Sequence, residues 1–215
     1  MLRIGIDYGH GLHEPAGAKR YTFTDESPPK LVVEGEINRR VASRVLRALV
    51  REPGVAVFDL VAKRRTHSDD TTPEDTPLAQ RVEYANTRAL DLVFSIHTNA
   101  IGNAIEGPSL PARGFRAFVF EGTTSPVALA VAEHVTGCVE ALTAGRVALT
   151  GQDGLKARPV KGARFYMLRK TTAPAVLVEG GFFTNRADVA LLEDPVYRAQ
   201  LAAAYVRAIL AVLRS

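Results

Sequence analysis

Short apolar runs and longer helix-like patterns take turns along this chain, and that alternation leaves few folds open to it. The stretches "LRIGID" (2–7), "VAVFDL" (55–60), "LVFSI" (92–96) and "FRAFVF" (115–120) read as strands. Helical patterns fill the gaps at about Glu34 to Val50, Leu78 to Ala89 and Pro126 to Leu142. Further strands are expected near 164–168 and 175–178, followed by closing helices from about Arg186 and Pro195. Parallel strands need a crossover between them, and a helix of this length supplies one. The expected fold class is α/β: a twisted, mostly parallel sheet of about six strands with helices on both faces, in a single domain over residues 1–215.

Bulk properties narrow the partners without choosing one. With 47% hydrophobic and 23% charged residues, the chain has the composition of an ordinary globular protein. The lone Cys138 lies in the apolar-periodic "VALAVAEHVTGCVEAL" and is read as a small buried residue, so no disulfide forms within one chain. The first residues, Met1 to Asp7, already read as a strand, with no visible signal peptide, and no stretch reaches the roughly 18 to 20 apolar residues of a membrane span. The expected setting is synthesis in the cytoplasm. A net charge of +4 favours anionic polymers, although the arginines of "RRVASRVLRALVR" are spread along a helix as a solvated face would have them. Nothing points to a specific nucleic-acid partner.

Parallel sheets bind ligands beyond the carboxyl ends of their strands, so the residues found there matter most. Strand one runs into "DYGHGLH", which places Asp7 and His10 at that edge; "SIHTNA" places His97 there; and "VLVEGGFFTN" carries Glu179 straight out of an aliphatic run. The first helix opens with "VVEGEINRR", bearing Glu34 and Glu36 in its first turn. Each is unremarkable alone, since a glutamate in a first turn suits the helix dipole. Together, two imidazoles and a carboxylate are donors suited to a three-ligand Zn²⁺ site with one open position. Glu34 and Glu36 point roughly 160° apart on a helix, so only one faces the site, and spacing leaves the choice even.

The blocks "IDYGHG", "EGEIN", "LAQRVEYAN", "DLVFSIHTNA" and "PAVLVEGGFFTN", in that order, resemble the zinc-dependent N-acetylmuramoyl-L-alanine amidases of the Amidase_3 type, from about residue 2 to 210. The resemblance implies one zinc per chain, held by His10, Glu34 and His97. It favours Glu34, with Asn38 four residues on, over Glu36, and it makes Glu179 the catalytic acid/base. It implies peptidoglycan as substrate, cleaved between N-acetylmuramic acid and L-alanine. The family often reads DPGHGG where this chain has Asp7-Tyr8-Gly9-His10-Gly11-Leu12, and the loop that follows carries His13 and Glu14, read as loop polarity.

Further expectations concern the surroundings. Asn99 and Arg169, the latter at the end of an expected "FYMLRK" strand, are candidate substrate contacts, with a surface arginine as the equal alternative for Arg169. Arg81 and Asn86 are expected to brace loops, and His67 and His134 to stay away from the metal. The segments Gly9–Val33, Ala62–Pro77 and Asn99–Arg113 resist assignment and are read as functional loops. A zinc carboxypeptidase-like peptidase is the nearest enzymatic rival, but His10 lacks a glutamate at plus three. A non-catalytic wall-binding module has no use for Glu179. The expected role is that of a monomeric, single-domain phage endolysin acting on the cell wall after release, with anionic envelope polymers as further partners. A bacterial autolysin or recycling amidase is the alternative.

Overall fold

The computed structural model describes residues 1–10, 19–61, 76–143 and 160–215. Its elements in chain order are β1 (Leu2–Tyr8), β2 (Arg20–Phe23), β3 (Lys30–Val33), α1 (Glu34–Val50), β4 (Val55–Asp59), α2 (Leu78–Asn86), β5 (Leu92–Asn99), β6 (Glu106–Gly107), β7 (Arg116–Phe120), α3 (Pro126–Thr143), β8 (Val160–Ala163), α4 (Tyr166–Lys170), β9 (Ala175–Phe182), α5 (Arg186–Glu193) and α6 (Pro195–Leu213). Six strands form one sheet in the order β4-β1-β5-β9-β7-β8. Every neighbouring pair is parallel except β7 and β9.

Successive side chains of a strand face opposite sides of a sheet, and the core divides accordingly. Ile4 and Ile6 of β1, Phe94 and Ile96 of β5, and Val176 and Val178 of β9 pack under α1, α3 and α6. Val93, Phe118, Ala175 and Leu177 point the other way, onto Val82 and Ala85 of α2 and Met167 and Leu168 of α4. Each Val, Ile, Leu, Phe or Met among them, fully buried, is worth roughly 1.5–3 kcal/mol. Helix α1 offers Ile37, Val41, Val45 and Leu49 to the first face at helical spacing. Asn185 caps α5 through Ala187 and Asp188 N–H, while Asp194 caps α6 with Pro195 in its first turn.

Four expectations need correction. The strand expected near 164–168 lies earlier, at β8, and Tyr166–Lys170 is a short helix in which the adjacent Met167 and Leu168 are both buried; a five-residue apolar run carries too little period to tell the two apart. Two unassigned segments contribute a second, three-stranded sheet in the order β3-β2-β6. Helix α6 is long and apolar enough to cross a membrane by length and composition, which the sequence reading did not single out. Ten of its residues, among them Leu201, Tyr205 and Ile209, are buried. Cys138 is half-buried at the margin of the core.

Candidate metal centre and acid/base

Three adjacent parallel strands, β1, β5 and β9, bring their carboxyl-terminal halves to one side of the sheet, and the register across them assembles the site. Asp7 pairs with Ser95, and His97 pairs with Glu179 on the next strand. His10 follows β1 in a left-handed backbone conformation, φ 71°. The other contribution comes from α1, whose first residue is Glu34. The helix phase that buries Ile37 and Val41 also buries Glu34 and Asn38 and leaves Glu36 outside, paired with Arg40. This settles which glutamate faces inward.

One donor atom each from His10, Glu34 and His97 lies within 4.8 Å of the others. His97 Nδ1 is 3.1 Å from Glu34 Oε1, and His10 Nε2 is 3.6 Å from Glu34 Oε2. Asn38 ties the surroundings together: its amide donates to Gly9 O at 3.1 Å and to Glu34 Oε1 at 3.3 Å, and its oxygen accepts from Thr98 at 3.2 Å. Lys19, half-exposed, brings its ammonium to 3.4 Å from Glu34 Oε2. Gly9 leaves room for the His97 ring, since a Cβ there would sit 1.9 Å from Cε1.

Electrostatics sort these groups by role. Burial pushes His10 down to about 4, leaving it neutral near pH 7. Burial works to raise Glu34, but the hydrogen bond from His97 and the charges of His97, His10 and Lys19 outweigh it and hold the carboxylate below its usual range. Burial works to lower His97, but Glu34, Glu179 and Asp7 together raise it. Glu179 is pushed up to about 8, chiefly by burial and then by the charge of Glu34, against the pull of His97 and Lys19. Glu34 Oε2 and Glu179 Oε2 are buried without a hydrogen-bond partner. An unsatisfied oxygen on the buried Glu34 carboxylate beside two imidazoles calls for a cation, and the donor set fits zinc.

The other expected residues divide. Arg81 and Asn86 brace loops as expected: Arg81 reaches Asp7 Oδ1 at 2.9 Å and Thr76 O at 2.6 Å, and Asn86 holds Lys170 O and Thr172 N–H. Asn99 stands two residues beyond His97, and its side-chain oxygen accepts from Ala100 N–H at 2.8 Å, closing its own loop. Arg169 is not brought to the site. It is exposed on α4, beside Tyr166, and α4 leads into the amino end of β9, whereas Glu179 lies toward the other end of that strand. The misplacement follows from reading the α4 segment as a strand. His134 is exposed on α3. His13, Glu14 and His67 lie outside the described residues.

Sequence reasoning gave no role to Gly9 or Lys19 and left Asp7 without a partner. A signal for Asp7 existed, since Arg81 shares a helix face with Ala85 in α2, and an arginine on an apolar stripe demands a buried acid. Past Glu179, β9 continues to Phe182; Gly180 packs against the Tyr205 hydroxyl, and Gly181, φ 154°, packs against Leu192 and Asp188.

Comparison with known proteins finds relatives by sequence and by fold. The germination-specific N-acetylmuramoyl-L-alanine amidase of Bacillus subtilis is 28% identical over 190 residues, covering 83% of this chain and 70% of that protein. The N-acetylmuramoyl-L-alanine amidase LytC of the same organism is 28% identical over 94% of this chain, which spans only 33% of LytC. The crystal structure of N-acetylmuramoyl-L-alanine amidase from Clostridium difficile 630 superposes with a TM-score of 0.76 at 22% identity, covering 100% of this chain and 97% of that one, a likeness of fold. The Amidase_3 model, described as N-acetylmuramoyl-L-alanine amidase, matches residues 4–211, and the chain belongs to that family of hydrolases.

Proposed function

We propose that this chain hydrolyses the amide between N-acetylmuramic acid and L-alanine in peptidoglycan, using one zinc ion held by His10, Glu34 and His97. The observation that carries the reading is the position of Glu179: in register with His97 on the neighbouring strand, outside the three-donor cluster, and with its carboxyl pushed up to about 8. Bound zinc would polarise the amide carbonyl and lower the pKa of a water from 15.7 to about 7. Glu179 then removes a proton from the attacking water as the C–O bond forms. It returns that proton to the amide nitrogen as the C–N bond breaks, leaving a free carboxylic acid, which ionises in water, and a free α-amine. A carboxyl poised near neutrality suits both halves of this task. Glu34, held anionic, and His10, held neutral, supply donors without prior loss of a proton.

All four groups belong to one chain, so a monomer suffices. The net positive charge supports anionic envelope polymers as additional partners. A phage endolysin released onto the wall at lysis and a bacterial autolysin or recycling amidase would share this chemistry, and the likeness to Bacillus amidases favours the bacterial setting. Incubation with purified peptidoglycan tests the activity. New N-terminal alanine should accumulate, stop on addition of a chelator and resume with zinc. Release of a different terminus, or release that survives chelation, would refute the proposal.

A further inference from the structure

The proposed reaction leaves a buried ion pair behind the metal centre unused. Arg81, 1% exposed, is the first among the largest fully buried side chains of the described residues. It comes from α2, whose buried side chains pack on the face of the sheet opposite α1. Its Nη1 donates to Asp7 Oδ1 at 2.9 Å and its Nε to Thr76 O at 2.6 Å. Asp7 is 0% exposed; its Oδ2 accepts from the Ser95 hydroxyl and lies 4.0 Å from His97 Nε2.

Such a pair is a poor device for stability. Stripping water from each ion costs several kcal/mol, and an apolar replacement of similar shape is often neutral or stabilising. What the pair does supply is a negative oxygen fixed in place. Arg81 and Ser95 anchor the two Asp7 oxygens, so the carboxylate cannot swing away from the imidazole. His97 therefore stands between two carboxylates, Glu34 at Nδ1 and Asp7 toward Nε2, and the close approach of Gly9 determines where the ring lies.

We propose that Asp7, clamped by Arg81 and Ser95, is a positioning residue that holds an N–H at His97 Nε2, so that a bound metal takes the place of the Nδ1 proton facing Glu34 and Nδ1 is the metal-binding nitrogen. The inference rests on the zinc reading above. At 4.0 Å the contact is electrostatic rather than a hydrogen bond. A fixed anion at that range still favours an N–H over a lone pair facing it, and a partner on the second nitrogen is what sets the tautomer and basicity of a ligating histidine.

Asp7→Asn alone would strand the Arg81 charge in the interior and risks unfolding the chain, so the informative variant is Asp7→Asn with Arg81→Met, which removes both charges. Two measurements are made on wild type and double variant, after circular dichroism confirms the fold. Zinc affinity, by competition with a chromogenic chelator, should fall about 10- to 100-fold in the double variant. Nitrogen-15 spectra of the cadmium-loaded wild type should show His97 bound through Nδ1 and protonated at Nε2, and the double variant should lose that uniform pattern. A double variant with wild-type zinc affinity, or cadmium coupled to Nε2 in the wild type, overturns the role of Asp7 while leaving the zinc reading intact. Failure of the wild type itself to bind zinc overturns both.

Discussion

Replacing Gly9 with alanine is the most direct challenge to the site, because the structure specifies what the added methyl meets. The new Cβ would lie 1.9 Å from Cε1 of His97, 2.6 Å from Nε2 and 2.7 Å from Nδ1. Ordinary contact begins near 3.4 Å, so the ring or the β1 terminus must give way by about 1.5 Å. The ring has little freedom in its own plane, with Glu34 at 3.1 Å on one nitrogen and Asp7 at 4.0 Å beyond the other. Gly9 is not in the left-handed region, so the penalty is steric rather than conformational. Overpacking of this kind costs about 1–3 kcal/mol. If the ring escapes by leaving its metal-binding position, the same energy is charged to zinc binding and lowers affinity about 5- to 150-fold. The assay is a zinc titration of Gly9→Ala followed by chelator competition, with thermal unfolding of the ion-free protein alongside. Gly137→Ala is the control, since a Cβ at that α3 position meets nothing within 4 Å and should stabilise by roughly 0.5–1 kcal/mol. Wild-type zinc affinity in Gly9→Ala would show that the ring does not need the place described here.

Three other variants test separate parts of the account. In His97→Ala, zinc at about 100 times the wild-type dissociation constant should no longer confer the roughly 2.7 kcal/mol it gives the wild type; a preserved rise in melting temperature would remove His97 from the ligand set. Glu179→Gln should lower turnover about 10²- to 10⁴-fold while keeping zinc near one per chain, and lost metal would mean that base and ligand had been confused. The same variant carries a pH signature. Because folding raises the Glu179 carboxyl from 4.5 to about 8, the folded ion-free chain holds a proton that the unfolded chain releases, so this contribution to stability is present below pH 4.5 and lost as pH rises toward 8. Urea unfolding at pH 5 and pH 8 should therefore show a steeper decline in wild type than in Glu179→Gln, and equal slopes would contradict the burial. Asn185→Ala removes the α5 cap and the bond to Leu110 O, and should cost about 1 kcal/mol without changing zinc affinity; weakened metal binding in that variant would tie α5 to the site.

Legibility of the fold followed the length of each element. Helix α1 runs from Glu34 to Val50 as its periodicity predicts, and α3, α5 and α6 begin where expected, because several turns of apolar spacing and a capping residue or proline mark them. The short pieces escaped. "RYTF", "KLVV" and "EG" form β2, β3 and β6, each no longer than four residues, and their alternation cannot be told from chance over such a span. The antiparallel pairing of β7 with β9 was equally invisible, since it depends on how α3 and α4 return the chain to the sheet rather than on either strand's own residues. At the site, spacing left Glu34 and Glu36 even and only the family resemblance favoured Glu34, which the folded helix then buries with Ile37, Val41 and Val45, whereas Arg169 was misplaced as soon as α4 was read as a strand.

The carboxylate inside "VLVEGGFFTN" also has a physical rationale that strand ends alone do not provide. β5 and β9 both run past the site, to Asn99 and Phe182, so Glu179 and His97 are ladder partners within the sheet and not loose ends at its margin. Strand spacing holds such partners about 4.7–4.9 Å apart at the backbone. The separation between the proposed base and the proposed ligand is thereby set by main-chain hydrogen bonds, which cannot relax when a cation arrives, rather than by rotamers, which can. A carboxylate on the ligand's own strand or on a free loop could swing into the coordination sphere and cease to act as a base. Only beyond His97 does the register shift, where the bulge at Gly180 and Gly181 leads β9 against α5 and α6. The irregularity thus begins just past the residue whose position the ladder has to hold.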